Sequence, residues 1–111
     1  MSITIFHNPQ CSKSRETLSL LIKSGKTFEI IEYLKSPLKP YEVKSIIKKL
    51  KIMPKDLLRD KEACNIGINT LEGPSLLRAI CDNPRVMQRP IVINGDNGVI
   101  CRPPEKIFEI L

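Results

Sequence analysis

ITIFHNPQCSKSRETLSLLIKSGKTFEIIEYL, residues 3–34, decides the architecture. Ile3-Thr4-Ile5-Phe6 is short, β-branched and apolar, the pattern of a buried strand, and Asn8-Pro9 breaks it. From about Ser12 to Ser24 the apolar residues Leu18, Leu21 and Ile22 recur at helical spacing, and Gly25 supplies a C-terminal stop. Phe28 to Leu34 reads as a second strand. Strand, helix and strand in about 30 residues make a βαβ unit, which requires parallel pairing through a right-handed crossover.

The rest of the chain builds on that unit. Pro37 marks a connection, and Pro40 suits the first turn of a helix whose stripe is Val43, Ile46, Ile47 and Leu50. Residues 52–74 are less regular, with a helical turn expected at Asp56-Leu57-Leu58-Arg59. Leu76, Leu77, Ile80 and Cys81 form another helical face, ended by Asn83-Pro84. Two short strands, Ile91 to Ile93 and Gly98 to Cys101, flank Asn94-Gly95-Asp96-Asn97, which is hairpin chemistry. Pro103-Pro104 opens a last helix with Ile107, Ile110 and Leu111 on its apolar face. No repeat, low-complexity segment or linker interrupts this order. A βαβ unit, a helical middle and a final ββα suit a thioredoxin-like α/β fold: a small mixed sheet flanked by helices, with a helical insertion.

With 111 residues, a single domain over 1–111 is expected. No apolar run approaches the roughly 18 residues that span a bilayer, and no signal peptide is apparent. A cytoplasmic protein without a membrane partner is therefore expected. The four cysteines, at 11, 64, 81 and 101, include no C-x-x-C, and with His7 as the sole histidine they do not form a zinc pattern. The net charge of +6 asks for an anion. The Lys44, Lys48, Lys49, Lys51 and Lys55 run reads as a solvated face, and so few aromatics argue against nucleic acid. A small oxyanion suits the charge.

Cys11 carries the chemistry. It follows a strand and opens a helix, where unsatisfied N–H groups and the macrodipole favour thiolate over thiol. Lys13 and Arg15 add positive charge, and Ser12 and Ser14 offer hydroxyls, so the segment can both attack and hold an anion. Ser14 stands where a thioredoxin-type motif has its second cysteine, so Cys11 cannot close a local disulfide and needs another thiol to complete a redox cycle. Cys81 is expected in the core, Cys101 near the site without reacting, and Cys64 as a candidate accessory thiol.

HNPQCSKSRETL closely resembles the active-site segment of the ArsC family of glutaredoxin-dependent arsenate reductases. The likeness continues in LLR at 57–59, RPIV at 89–92, CRPPE at 101–105 and the closing IFEIL, and it resembles the short form of that family. It implies Cys11 as nucleophile, with Arg59, Arg89 and Arg102 holding arsenate or a similar small oxyanion. Guanidinium forks suit a tetrahedral anion. It further implies that His7 supports the thiolate, and that Asn8 and Ser14 shape the loop and its anion contacts. Arg89-Pro90 resembles the peptide before the cis-proline of thioredoxin-like folds, and the sequence leaves its isomer open.

The implied reaction reduces arsenate to arsenite, with no bound cofactor, glutathione as co-substrate and glutaredoxin as partner. Two alternatives stay open at this point. One is a regulator of the Spx kind that binds RNA polymerase, although such proteins typically carry the C-x-x-C that Ser14 interrupts. The other is an ArsC-like thiol oxidoreductase with a different substrate.

Overall fold

A computed structural model describes residues 2–111, and its contacts group them into two units. The first runs to Ser36 and resumes from Arg89 to Leu111; the second is Pro37–Gln88.

The first unit holds the sheet. Strand β1 (Ile3–Phe6), helix α1 (Ser12–Lys23) and strand β2 (Glu29–Ile31) form the βαβ unit, with β1 and β2 parallel through Thr4 and Glu29, Ile5 and Ile30, Phe6 and Ile31. Strands β3 (Ile91–Asn94) and β4 (Asn97–Ile100) form an antiparallel hairpin, and β3 pairs antiparallel with β1. The order is β2-β1-β3-β4, a mixed sheet. Gly95 turns the hairpin at φ 62°, and Asp96 beside it stays at negative φ, which is the type II′ requirement for glycine at the first central position.

Ile3 and Ile5, two apart on one face of β1, pack with Leu21 of α1, Val92, Cys101 and Ile107 in one buried cluster. Ile107 belongs to a 3-10 helix, Pro104–Glu109, which packs on α1 where a last α-helix was expected. Two further expectations shift. β2 covers only Glu29–Ile31 of the strand expected from Phe28 to Leu34, because the chain turns at Tyr33 to Lys35, where the Lys35 and Ser36 amides donate to Glu32 O. On α1 the buried side is Ser14, Thr17 and Leu21, whereas Ile22 is exposed. The apolar periodicity located the helix and misplaced part of its inner face, because two of the three residues buried there are polar.

The second unit is helical, the insertion expected in the middle of the fold. Helix α2 (Pro40–Leu50) starts with Pro40 in its first turn and with the Lys39 amide donating to the Glu42 carboxylate at 3.0 Å. It buries Val43, Ile46 and Ile47 and packs on α4 (Gly73–Asp82), which buries Leu76 and Ile80. Between them lie a 3-10 turn (Pro54–Leu57) and the short helix α3 (Asp60–Asn65). The helical turn expected at Asp56 to Arg59 ends early: Leu58 is extended and bridges Met87, with Gln88 N–H donating to Leu57 O and Arg59 N–H to Val86 O. Among the described residues no helix is long and apolar enough to cross a membrane.

Candidate active site

Sheet register assembles the site in the first unit. Phe6, the last residue of β1, lies opposite Ile91, the first of β3, and Ile91 lies opposite Ile100, the last of β4. The segment leaving β1 therefore emerges at the same sheet end as the residues preceding β3 and following β4. Arg89 and Arg102 each stand two residues beyond the Ile91–Ile100 pair, and the Arg102 guanidinium donates from Nη1 to Arg89 O at 3.3 Å. Cys101 N–H donates to Pro90 O at 2.9 Å, which holds the two segments together. The Arg89-Pro90 and Arg102-Pro103 peptides are both cis.

Cys11 is the N-cap of α1, with extended backbone (φ −98°, ψ 123°), so its carbonyl accepts from Arg15 N–H while its own N–H donates to Asn8 O at 3.0 Å. The residue is buried and its side chain makes no capping hydrogen bond. Burial is the largest single influence on the sulfur and pushes its pKa up. Opposing it are the amide of Ser14, the charge of Arg89, the amide of Lys13 and the charge of Arg102, and together they bring the thiol below the usual cysteine value. The cations that act are thus the two hairpin arginines. The Lys13 ammonium instead pairs with Glu16 at 3.5 Å, and Arg15 donates to Pro9 O at 2.8 Å, fastening the turn before the helix.

Behind the loop lies a polar brace. His7 continues the sheet, its N–H donating to Ile31 O, and it is buried. Its Nδ1 lies 2.6 Å from the fully buried Ser14 Oγ, which also accepts from Asn8 N–H at 3.0 Å. Asn8 Oδ1 accepts from Gln10 N–H, closing an Asx turn. Burial lowers the pKa of His7, Arg15 lowers it further and Glu32 works against both. The balance favours the neutral ring, and the Ser14 hydroxyl expected to face an anion is engaged with His7 and Asn8. It is the Ser14 amide that serves the sulfur.

Arg89 keeps its Nε buried without a hydrogen-bond partner among the described residues. A buried donor left open costs about 1–3 kcal/mol. The open donor belongs to one of the two guanidinium groups whose charge reaches the Cys11 sulfur. The structure therefore groups Cys11, Arg89, Arg102 and Pro90 at one sheet end, with His7, Asn8, Ser14 and Arg15 shaping the loop. Arg59 belongs to the second unit, as N-cap residue of α3, ion-paired with Glu62 at 2.7 Å and donating to Arg85 O.

The other thiols differ. Cys101 is wholly buried, and loss of hydration drives its pKa up to about 12. Cys81, expected in the core, is half-buried on α4, and Cys64 is exposed on α3. All four are free. Among the described residues no three or more His, Cys, Asp or Glu side chains gather as a metal site. The helix-start N–H groups expected to favour the thiolate are those of Ser14 and Lys13; what the sequence did not reveal is that the Ser14 hydroxyl faces His7 and Asn8.

The ArsC family profile matches residues 6–110. An arsenate reductase of Haemophilus influenzae is 43% identical, the match covering all of both chains. A protein of Escherichia coli K12 called YfgD, described as uncharacterized, is 39% identical over 98% of this chain and 96% of its own. The solved structure of an arsenate reductase from Vibrio cholerae superposes with a TM-score of 0.89 at 35% identity, covering 100% of this chain and 98% of the other.

Proposed function

The chain belongs to the ArsC family, and on that premise we propose that it reduces arsenate to arsenite with Cys11 as nucleophile, glutathione as co-substrate and glutaredoxin as the resolving partner. The observation that supports this most is the convergence on one buried sulfur of two helix-start amides and two guanidinium groups, one with an open buried donor. That arrangement favours a thiolate and a tetrahedral oxyanion together.

In the proposed cycle, arsenate sits on Arg89 and Arg102. Cys11 Sγ attacks arsenic(V), the S–As bond forms, and an arsenic oxygen leaves as hydroxide, or as water after taking a proton. The arginines hold the anion in line and stabilise charge while the adduct forms. Glutathione thiolate then attacks Cys11 Sγ. The S–S bond forms as the S–As bond breaks, and the bonding pair stays on arsenic, which departs as arsenite at oxidation state III. A glutaredoxin thiolate removes the glutathionyl group by exchange and returns Cys11 as thiolate. No bound cofactor enters. Arg59 joins this reading only through the likeness of Leu57-Leu58-Arg59 to the family motif.

The test is a coupled assay of purified protein with arsenate, glutathione and glutaredoxin, following arsenite. The wild type should turn over and Cys11→Ser should not. Turnover that survives in Cys11→Ser, or a wild type inert toward arsenate, rejects the reading.

A further inference from the structure

Between α1 and the segment that follows Arg102 the first unit carries a groove of about 400 Å³, in the size range of small-molecule sites. One wall is a single face of α1, Lys13, Glu16, Leu20 and Lys23, at helical spacing; the other is Pro103 and Glu105. Both walls begin at the active site. The Lys13 amide acts on the Cys11 sulfur, and Pro103 follows Arg102 through a cis peptide. From Lys13 to Lys23 the face runs roughly 15 Å, at about 1.5 Å rise per residue.

The charges lining it are balanced. Lys13 and Lys23 are cationic, and Glu16 and Glu105 anionic. A bare anion would gain little from such a lining, whereas a group bearing an ammonium and a carboxylate on neighbouring atoms can pair with both signs. Glutathione has such an end. Its γ-glutamyl arm is zwitterionic, while its glycine arm ends in a lone carboxylate. We propose that this groove receives the γ-glutamyl arm of glutathione, with Lys23 and Glu105 among its contacts, and so presents the glutathione sulfur to Cys11. The inference rests on the glutathione-dependent reading above and names the residues that select the thiol.

Two measurements separate this proposal from that reading. The first is the rate at which Cys11 takes up a glutathionyl group from oxidised glutathione, followed by intact mass without arsenate; Cys11 thiolate displaces one glutathione thiolate and forms the mixed disulfide. In Lys23→Glu and Glu105→Lys this rate should fall about fivefold, the effect of an exposed charge pair turned repulsive. Alkylation of Cys11 by iodoacetamide should stay within about twofold, showing that the thiolate itself is intact. The second is KM in the coupled assay, where the same variants should raise KM for glutathione and leave KM for arsenate alone. Wild-type rates with oxidised glutathione in both variants overturn the groove even if arsenate is reduced. A selective fall upholds it even if arsenate is not the substrate.

Discussion

Replacing Ser14 by alanine separates what its hydroxyl does from what its amide does. The hydroxyl is fully buried and serves two partners, His7 Nδ1 at 2.6 Å and Asn8 N–H at 3.0 Å. Removing it leaves both without a partner. A buried unsatisfied polar group costs about 1–3 kcal/mol, and Asn8, half-buried, falls at the low end. The sum is about 3 kcal/mol. For a chain near 100 residues that lowers Tm by about 12–20 °C. Helix propensity works slightly the other way, since alanine is the better helix former by a few tenths of a kcal/mol. Urea titration by circular dichroism should show Cm falling with an unchanged m. The main-chain amides of Ser14 and Lys13 and the charges of Arg89 and Arg102 all survive the substitution, so Cys11 should still alkylate below the pH of an ordinary thiol. A loss under about 0.5 kcal/mol would show that the brace is not closed as described. A Cys11 profile returned to the ordinary range, with the fold intact, would show that the hydroxyl, not the amide, holds the thiolate.

Arg89→Lys and Arg102→Lys should each raise KM for arsenate about tenfold with the fold intact, because lysine keeps the charge and loses the planar fork; wild-type kinetics in both remove them from the site. Arg59→Lys in the same assay measures whether the third family arginine belongs with them. Treatment of the wild type with oxidised glutathione should leave a mixed disulfide at Cys11, mapped by peptide mass, whereas Ser14→Cys should close a local disulfide; a dominant Cys11–Cys64 or Cys11–Cys101 bridge in the wild type contradicts the glutaredoxin-type cycle. Cys101, raised to about 12 from an ordinary 9.0, contributes stability that is present below pH 9 and lost as pH climbs toward 12, because the unfolded chain ionises there first. Cys101→Ala should flatten that alkaline loss in denaturation curves taken across the range, and an unchanged slope refutes the assignment.

How much was legible follows from which physics dominates each element. The βαβ unit, the hairpin around Gly95 and the stripe of α2 are local, set by period and by turn chemistry, and the sequence shows them. The inner face of α1 is not local: Ser14 and Thr17 are buried because a polar brace and a back-bond to Lys13 O satisfy them, which no apolar pattern reports. β2 stops at Ile31 because a turn at Glu32 takes over the backbone hydrogen bonds, although Tyr33 favours a strand by type. Cys11 was found by its strand-to-helix position, and position also explains its amides. The sources of positive charge were misjudged, since Lys13 and Arg15 are near in sequence but engaged with Glu16 and Pro9. Arg89 and Arg102 are far in sequence and brought in by register, and family likeness pointed to them before any geometry did.

Every part of the account turns on one ionised sulfur, so the most direct measurement is the rate of alkylation of each cysteine against pH, read residue by residue by mass spectrometry on the folded protein. Cys11 should be the fastest of the four at neutral pH and its rate should level off below the pH at which an ordinary thiol ionises, while Cys101 stays unlabelled until the chain unfolds. A Cys11 rate that rises only in the ordinary thiol range, or that lags behind exposed Cys64, contradicts the thiolate and with it the proposed reaction.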